Sequence, residues 1–246
     1  MDSVFYDFQK RAKSYEKLSR WITDQTINET AIALIGECQD LIDVGCGTGF
    51  LPYCLNAIYP IPNITLLDLS PNMLEIAKRR LPQANVINNS LEEYAEITQD
   101  QYSTVIMRQV LHYIEDPIAA MECVKKLLKT HGRVYIGQFT VRDDLSDEWH
   151  AKLIRLISVN KRRSFTIDKL CKLCEGFKVL KIQSTDYEEN LKDYFARKTS
   201  NNSYELIYNT MIDELNNEII QNMKVHLEND NLFFTVQFTH LLLQVE

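Results

Sequence analysis

The chain has 246 residues, 45% of them hydrophobic and 25% charged, and carries a net charge of −7 at pH 7. This balance is that of a globular protein, and it excludes a disordered or collagen-like chain and a broad electrostatic footprint for nucleic acid. No apolar run approaches 18 residues, so a membrane span is not expected.

Residues 3–37 read as helical, with polar and apolar positions mixed at helical spacing and neither Gly nor Pro before Gly36. A short apolar run, Leu41-Ile42-Asp43-Val44, follows and stops at a cluster of glycines. Glycine is rationed in this chain: there are seven, and Gly45, Gly47 and Gly49 fall within five residues. A helix to about Tyr59 precedes a second run, Ile64-Thr65-Leu66-Leu67. Ser70-Pro71 then starts a helix that runs to about Leu81, because Ser caps orphan amides and Pro suits the first helical position. Asn85-Val86-Ile87 and Thr104-Val105-Ile106-Met107 are the third and fourth runs. Asp116-Pro117 repeats the cap-and-proline signal ahead of a helix through Leu127-Leu128, and Arg133-Val134-Tyr135-Ile136-Gly137 is a fifth strand. Beyond Thr140 the spacing predicts helices over 147–159, 166–175 and 203–227, with strands over 177–186 and 232–245. Strands alternating with helices imply a parallel sheet covered on both faces. With no Pro-, Gly- or Ser-rich linker, one domain spanning 1–246 is expected.

The turn Asp43-Val44-Gly45-Cys46-Gly47-Thr48-Gly49 between a strand and a helix brings backbone close to a ligand. A dinucleotide fingerprint wants a third Gly at position 50, where this chain has Phe50, and no Gly-Lys-Ser/Thr follows to make a phosphate loop. The segment LIDVGCGTGF resembles the first motif of class I S-adenosylmethionine-dependent methyltransferases, and further likenesses follow in order. Leu66-Leu67-Asp68 ends the second strand with the acid that takes both ribose hydroxyls in that family. Leu69 and Met73 stand in the segment whose apolar side chains flank the adenine. Ser90-Leu91 occupies the place where many members carry an acid toward the adenine amino group, a departure here. YSTVIMRQVLHYIED resembles the fourth strand and its loop, with Thr104 where Asp is frequent. The likeness covers roughly residues 10–140.

The resemblance implies a Rossmann-like, seven-stranded, mostly parallel sheet with helices on both faces. It also implies a helical lid over 1–37, a cofactor-binding core over 38–140, and helical acceptor-site additions over 141–246, inserted between the last two strands. The implied cofactor is S-adenosylmethionine, held by Tyr15, Asp43, Gly45, Cys46, Gly47, Gly49, Asp68, Leu69, Met73, Ser90, Leu91 and Arg108. The implied reaction is methyl transfer to an oxygen or nitrogen of a small molecule. A protein or RNA methyltransferase, or a non-catalytic adenosyl-binding or partner-binding module, is the alternative.

Deprotonating such an acceptor calls for a base near the end of the fourth strand, where His112 is the candidate, with packing as the competing role. Arg108 is read as holding the cofactor carboxylate or an acidic substrate, or else as paired with a neighbouring acid. Tyr15 is either a lid residue or a core aromatic. His150 is read as a surface residue, with a place lining the acceptor pocket as the alternative, and His131, His226 and His240 are expected in a turn, on a helix face and in a strand. Cys171 and Cys174 have metal-ligand spacing without a second pair and read as buried structural thiols, so no metal is expected. Lys161-Arg162-Arg163 reads as a solvated loop or an anion grip. The N-terminus shows no secretory h-region, and the six dispersed Cys suit a reducing cytoplasm. A monomer and a homodimer remain equally open, with neither nucleic acid nor membrane as a partner.

Overall fold

A computed structural model describes residues 8–159 and 163–245 of the chain. Residues 3–7 of the expected first helix, and Lys161 and Arg162 of the basic loop, lie outside the described residues. The chain divides into two compact units, one comprising residues up to 138, 173–183 and those from 240 on, the other 139–172 and 184–239.

The strands are β1 (Asp40–Val44), β2 (Asn63–Asp68), β3 (Asn85–Asn88), β4 (Tyr102–Arg108), β5 (Leu128–Thr140), β6 (Lys178–Asn190), β7 (His226–Glu228) and β8 (Asn231–Gln244). They form one sheet in the order β3-β2-β1-β4-β5-β8-β6, with β7 paired antiparallel to β8. β1 pairs in parallel with both β2 and β4, and the strand order reverses between β1 and β4. Ligands of open α/β sheets bind in the crevice outside the carboxyl ends of strands at such a reversal. The register sets Val44 opposite both Leu67 and Met107. The next residues of the three strands, Gly45, Asp68 and Arg108, therefore emerge side by side at that edge.

Why β1 and β4 are central is written in their side chains. Leu41, Ile42, Val105, Ile106 and Met107 are fully buried, as expected of continuous apolar runs covered on both faces. Ile35, Leu51, Leu55, Leu74 and Ala77 from the flanking helices join Leu41, Leu66, Ile106 and Tyr135 in the core of the first unit. The second unit has its own core, in which Trp149, Leu153 and Ile157 meet Ile207, Met211, Phe234 and Val236.

The Ser70 and Asp116 caps form as expected. Ser70 Oγ accepts from Met73 N–H ahead of the helix Pro71–Arg80, and Asp116 Oδ1 accepts from Ile118 and Ala119 N–H ahead of Pro117–Leu127. Two helices, Leu91–Ile97 and Leu191–Ala196, have no counterpart in the sequence reading. The helix expected over 203–227 is instead Tyr204–Asp213 and Asn217–Asn222, because Asn216 starts a new turn by accepting from Ile219 N–H at 2.9 Å. His226 consequently lies in β7, a strand beyond the expected seven, rather than on a helix, with its ring stacked 5.1 Å from that of Phe233. The cause is a two-residue hairpin at Asn229-Asp230, whose φ of 50° and 54° suits the twist of paired strands. His150 is buried at 3% exposure, not at the surface, with Nδ1 2.8 Å from Ser164 Oγ and Nε2 3.1 Å from Tyr194 OH. The N-terminal stretch is a set of short turns, Ala12–Ser14, Tyr15–Leu18 and Arg20–Ile22, before the longer helix Gln25–Ile35.

Candidate functional site

The turn after β1 is held to β2 by its own backbone, with Gly45 and Cys46 N–H both donating to Leu67 O at 2.8 and 3.1 Å. Gly45 has φ 66°, and a Cβ there would stand 2.6 Å from Val110 Cγ2, so conformation and space both reject a side chain. Gly49 has φ 68°, and a Cβ on it would press to 3.1 Å on Ala77 Cβ, where the helix Phe50–Ile58 leaves the turn beside Pro71–Arg80.

Asp68, at the end of β2, faces this turn. Its Oδ2 accepts from Gly47 N–H and its Oδ1 from Ser70 N–H, both at 2.8 Å. A carboxylate oxygen has two lone pairs, so each keeps acceptor capacity after these bonds. Burial raises the Asp68 carboxyl above its ordinary range, against the N–H groups of Ser70, Gly47 and Leu69, which favour the charged form. Asn88 Nδ2 braces the following bend by donating to the carbonyls of Asp68 and Leu69.

Asp43 and Arg108 line a cleft over the turn together with Tyr15, Trp21 and Thr48. Asp43 is 3% exposed, and burial pushes its carboxyl up to about 7, with Arg108 opposing the rise and Asp68 adding to it. Arg108 Nη1 donates to Asn28 Oδ1 at 2.8 Å, and its guanidinium lies 5.2 Å from the centre of the Trp21 ring. Asn28 is in turn fixed by donating Nδ2 to the carbonyls of Ile22 and Asp24. Guanidinium carries five donors, so one bond to Asn28 aims the group without exhausting it. Burial lowers the Arg108 pKa, and Tyr135 and Asp43 resist that shift. The Tyr15 ring stands beside Gly47, its Cε1 3.7 Å from where a Cβ on that glycine would be. Burial drives the Cys46 thiol well above its ordinary range, which leaves it a neutral lining group.

The remaining sequence candidates are placed differently. Leu69 is 39% exposed beside the acid, whereas Met73 is fully buried and Leu91 is 5% exposed. Ser90 Oγ accepts from Glu93 N–H at 3.1 Å and so caps the helix Leu91–Ile97. His112 is 4% exposed, with Nδ1 3.1 Å from Gln138 Nε2 and its ring centre 4.1 Å from that of Tyr113. It is not among the side chains lining the cleft over the turn. Trp21, Asn28 and Thr48 were not singled out from the sequence, since nothing in their spacing marks them. Among the described residues, no group of three or more His, Cys, Asp or Glu is placed to hold a metal ion, and no helix is long and apolar enough to cross a membrane.

The malonyl-[acyl-carrier protein] O-methyltransferase of Priestia megaterium is 26% identical over 179 residues, covering 68% of this chain and 65% of that protein. The chain spans about half to two thirds of the length of the curated relatives it matches first. Among solved structures, the YcgJ protein of Bacillus subtilis superposes with a TM-score of 0.76 at 16% identity, over 89% of this chain and 99% of that one. The N-methyltransferase NodS of Bradyrhizobium japonicum, solved with S-adenosyl-L-homocysteine, superposes with a TM-score of 0.58 at 14% identity, over 96% and 99%. The family described as a methyltransferase domain matches residues 11–182. With that match over more than half of its length, this chain belongs to the class I S-adenosylmethionine-dependent methyltransferases.

Proposed function

We propose that the chain transfers the methyl group of S-adenosylmethionine to an oxygen or nitrogen of a small-molecule acceptor. The observation that carries this reading is a convergence at one sheet edge. A glycine turn, a carboxylate with spare acceptor capacity and an opposed Asp43/Arg108 pair meet there. The donor set fits the cofactor part by part. Asp68 suits the two hydroxyls of a ribose, because each oxygen retains a lone pair. Asp43 and Arg108 present opposite charges in one cleft and match the ammonium and carboxylate of an amino-acid end. Tyr15 stands beside Gly47, the backbone of Gly45, Cys46 and Gly47 shapes the floor, and Gly49 lets the helix leave the turn. Leu69, exposed beside the acid, offers the apolar face for the adenine, with Met73, Ser90 and Leu91 kept as further candidates there.

When bound, the cofactor supplies an electrophilic methyl on a sulfonium that departs as a neutral thioether. No leaving anion needs stabilising, so the residues act mainly by alignment, an effect worth roughly 7–11 kcal/mol in favourable cases. His112, beyond the end of β4, is the candidate to take a proton from the acceptor. Transfer to oxygen is supported by the first relative's name, a malonyl-[acyl-carrier protein] O-methyltransferase, and a small-molecule acceptor by the name of another relative, the demethylmenaquinone methyltransferase of Chlamydia pneumoniae.

Titration calorimetry with S-adenosylhomocysteine tests the assignment. Wild type binds, and Asp68→Ala weakens binding by about tenfold or more, the scale of losing charged hydrogen bonds. Equal affinity in the two proteins would remove Asp68 from the ribose site.

A further inference from the structure

The backbone bonds to Leu67 fix the start of the glycine turn, and the rest of it depends on partners elsewhere. Gly45, Gly47 and Gly49 all have positive φ, a region that glycine enters freely but does not prefer, so something outside the turn must fix it. On the β2 side it is pinned by Gly45 and Cys46 N–H donating to Leu67 O and by Gly47 N–H donating to Asp68. A further pin comes from the opposite side. Arg80, the last residue of the helix Pro71–Arg80, donates Nη1 to Thr48 O at 2.9 Å and to Thr48 Oγ1 at 3.1 Å. The same guanidinium engages Glu16 through both forks, Nη1 to Oε1 at 2.7 Å and Nη2 to Oε2 at 3.1 Å. Its plane is backed by the rings of Phe50 and Tyr53 at 5.1 and 5.8 Å.

Glu16 adjoins Tyr15, the residue beside Gly47, so one side chain ties together the turn, the N-terminal segment and the end of a helix. Burial favours the neutral Glu16 carboxyl, yet its bonds with Arg80 and Thr48 win and hold it below the ordinary range. A second tie lies at the other end of that helix. Gln9 Oε1 accepts from Asn72 N–H at 3.0 Å, and Gln9 O accepts from Asn72 Nδ2 at 2.9 Å. The segment 9–16 is thus anchored at both ends of Pro71–Arg80, with Tyr15 next to the anchor at Arg80.

We propose that Arg80, acting with Glu16, is a positioning residue for the cofactor site. It locks the Thr48 peptide and sets Tyr15 against Gly47, and thereby fixes how long a ligand stays in the cleft. Arg80 is not among the cleft-lining residues, whereas Thr48 and Tyr15 are. The inference rests on the methyl-donor reading of the cleft. Pre-ordering of this kind tightens binding by lowering the cost of ordering on ligand arrival, mostly through slower dissociation.

The test uses the full chain as wild type and as Arg80→Lys, Arg80→Gln, Glu16→Gln and the Glu16→Gln/Arg80→Gln double variant. The readouts are affinity and dissociation rate for S-adenosylhomocysteine, and amide hydrogen exchange of residues 45–49 without ligand. Arg80→Gln is expected to weaken binding about tenfold through faster dissociation, the scale of losing one charged hydrogen bond. Arg80→Lys keeps a charge for Glu16 without the fork, so its affinity falls between the two. The double variant loses less than the sum of the singles, because both act on one network. In ligand-free protein, the turn amides exchange faster in Arg80→Lys and Arg80→Gln than in wild type.

Unchanged affinity in variants with wild-type melting midpoints, or additive losses, overturns the inference and leaves the cofactor reading intact. Wild type that fails to bind S-adenosylhomocysteine overturns the cofactor reading itself. In that event the exchange experiment still decides whether Arg80 pins the turn, and unchanged exchange would refute that too. Should Arg80→Gln fail to fold, Arg80→Lys and Glu16→Gln carry the same comparison.

Discussion

At the scale of single residues, the groups proposed to hold the cofactor cost stability. Asp43 ionises in the unfolded chain near its ordinary value of 3.8, but in the fold only near 7. Between those values the folded state binds the extra proton, so this carboxyl erodes stability as pH rises from about 4 to about 7. Asp43→Asn is expected to flatten that part of the pH–stability curve. At pH 8 the gain is on the order of a few kcal/mol, reduced by whatever Arg108 loses. The same variant should bind S-adenosylhomocysteine more weakly at pH 8. Urea unfolding from pH 4 to 8 beside calorimetry checks both signs, and a curve parallel to wild type would mean that Asp43 is not held protonated. Gly45 is costly to replace for a different reason. Gly45→Ala meets both a positive φ and the Val110 methyl at 2.6 Å, and is expected to lose about 1–3 kcal/mol in thermal unfolding. Adding Val110→Ala removes the methyl at 2.6 Å but leaves Cβ at 3.1 Å, so it should recover part of the steric share and none of the backbone share.

At the scale of elements, caps and turns decide where the chain changes direction. Asp116 accepts two N–H groups at the start of Pro117–Leu127, and Asp116→Ala should cost about 1 kcal/mol with cofactor-site affinity unchanged. Ser90→Ala removes a comparable cap, so thermal unfolding should report a similar loss. A fall in S-adenosylhomocysteine affinity on top of that loss would give Ser90 a role at the adenine as well. The Ser70-Pro71 and Asp116-Pro117 starts were legible because cap and proline act locally, within one turn of helix. Leu91–Ile97 and Leu191–Ala196 were not, since seven and six residues are too few for helical periodicity to stand out. The hairpin at Asn229-Asp230 escaped for another reason. Asn and Asp tolerate positive φ, but they also occur on helix surfaces, and only pairing of Glu228 with Asn231 selects the turn.

At the scale of the whole molecule, cofactor binding to the native state alone must appear as linked stability. S-adenosylmethionine at about 100 times its dissociation constant should add ~2.7 kcal/mol and raise the melting midpoint, and NAD should not. A shift with NAD and none with S-adenosylmethionine would overturn the assignment of the cleft. The order of motifs along the chain was enough to read the parallel core, because its inner strands β1, β2 and β4 are largely apolar runs buried on both faces. The glycine turn and the acid at the end of β2 were legible for a related reason: a backbone that must approach a ligand, and a strand that must end beside it, leave sequence traces at fixed offsets. Partners brought together by long-range packing left no such trace. Asn28 meets Arg108, Gln138 meets His112, and Glu16 and Thr48 meet on Arg80, across separations of 26 to 80 residues. Sequence by itself determined the strand–turn–helix order and the acid at its expected step. Tertiary structure alone decided which side chains face the cleft and which become caps or packing, because register and burial arise only when distant segments pair.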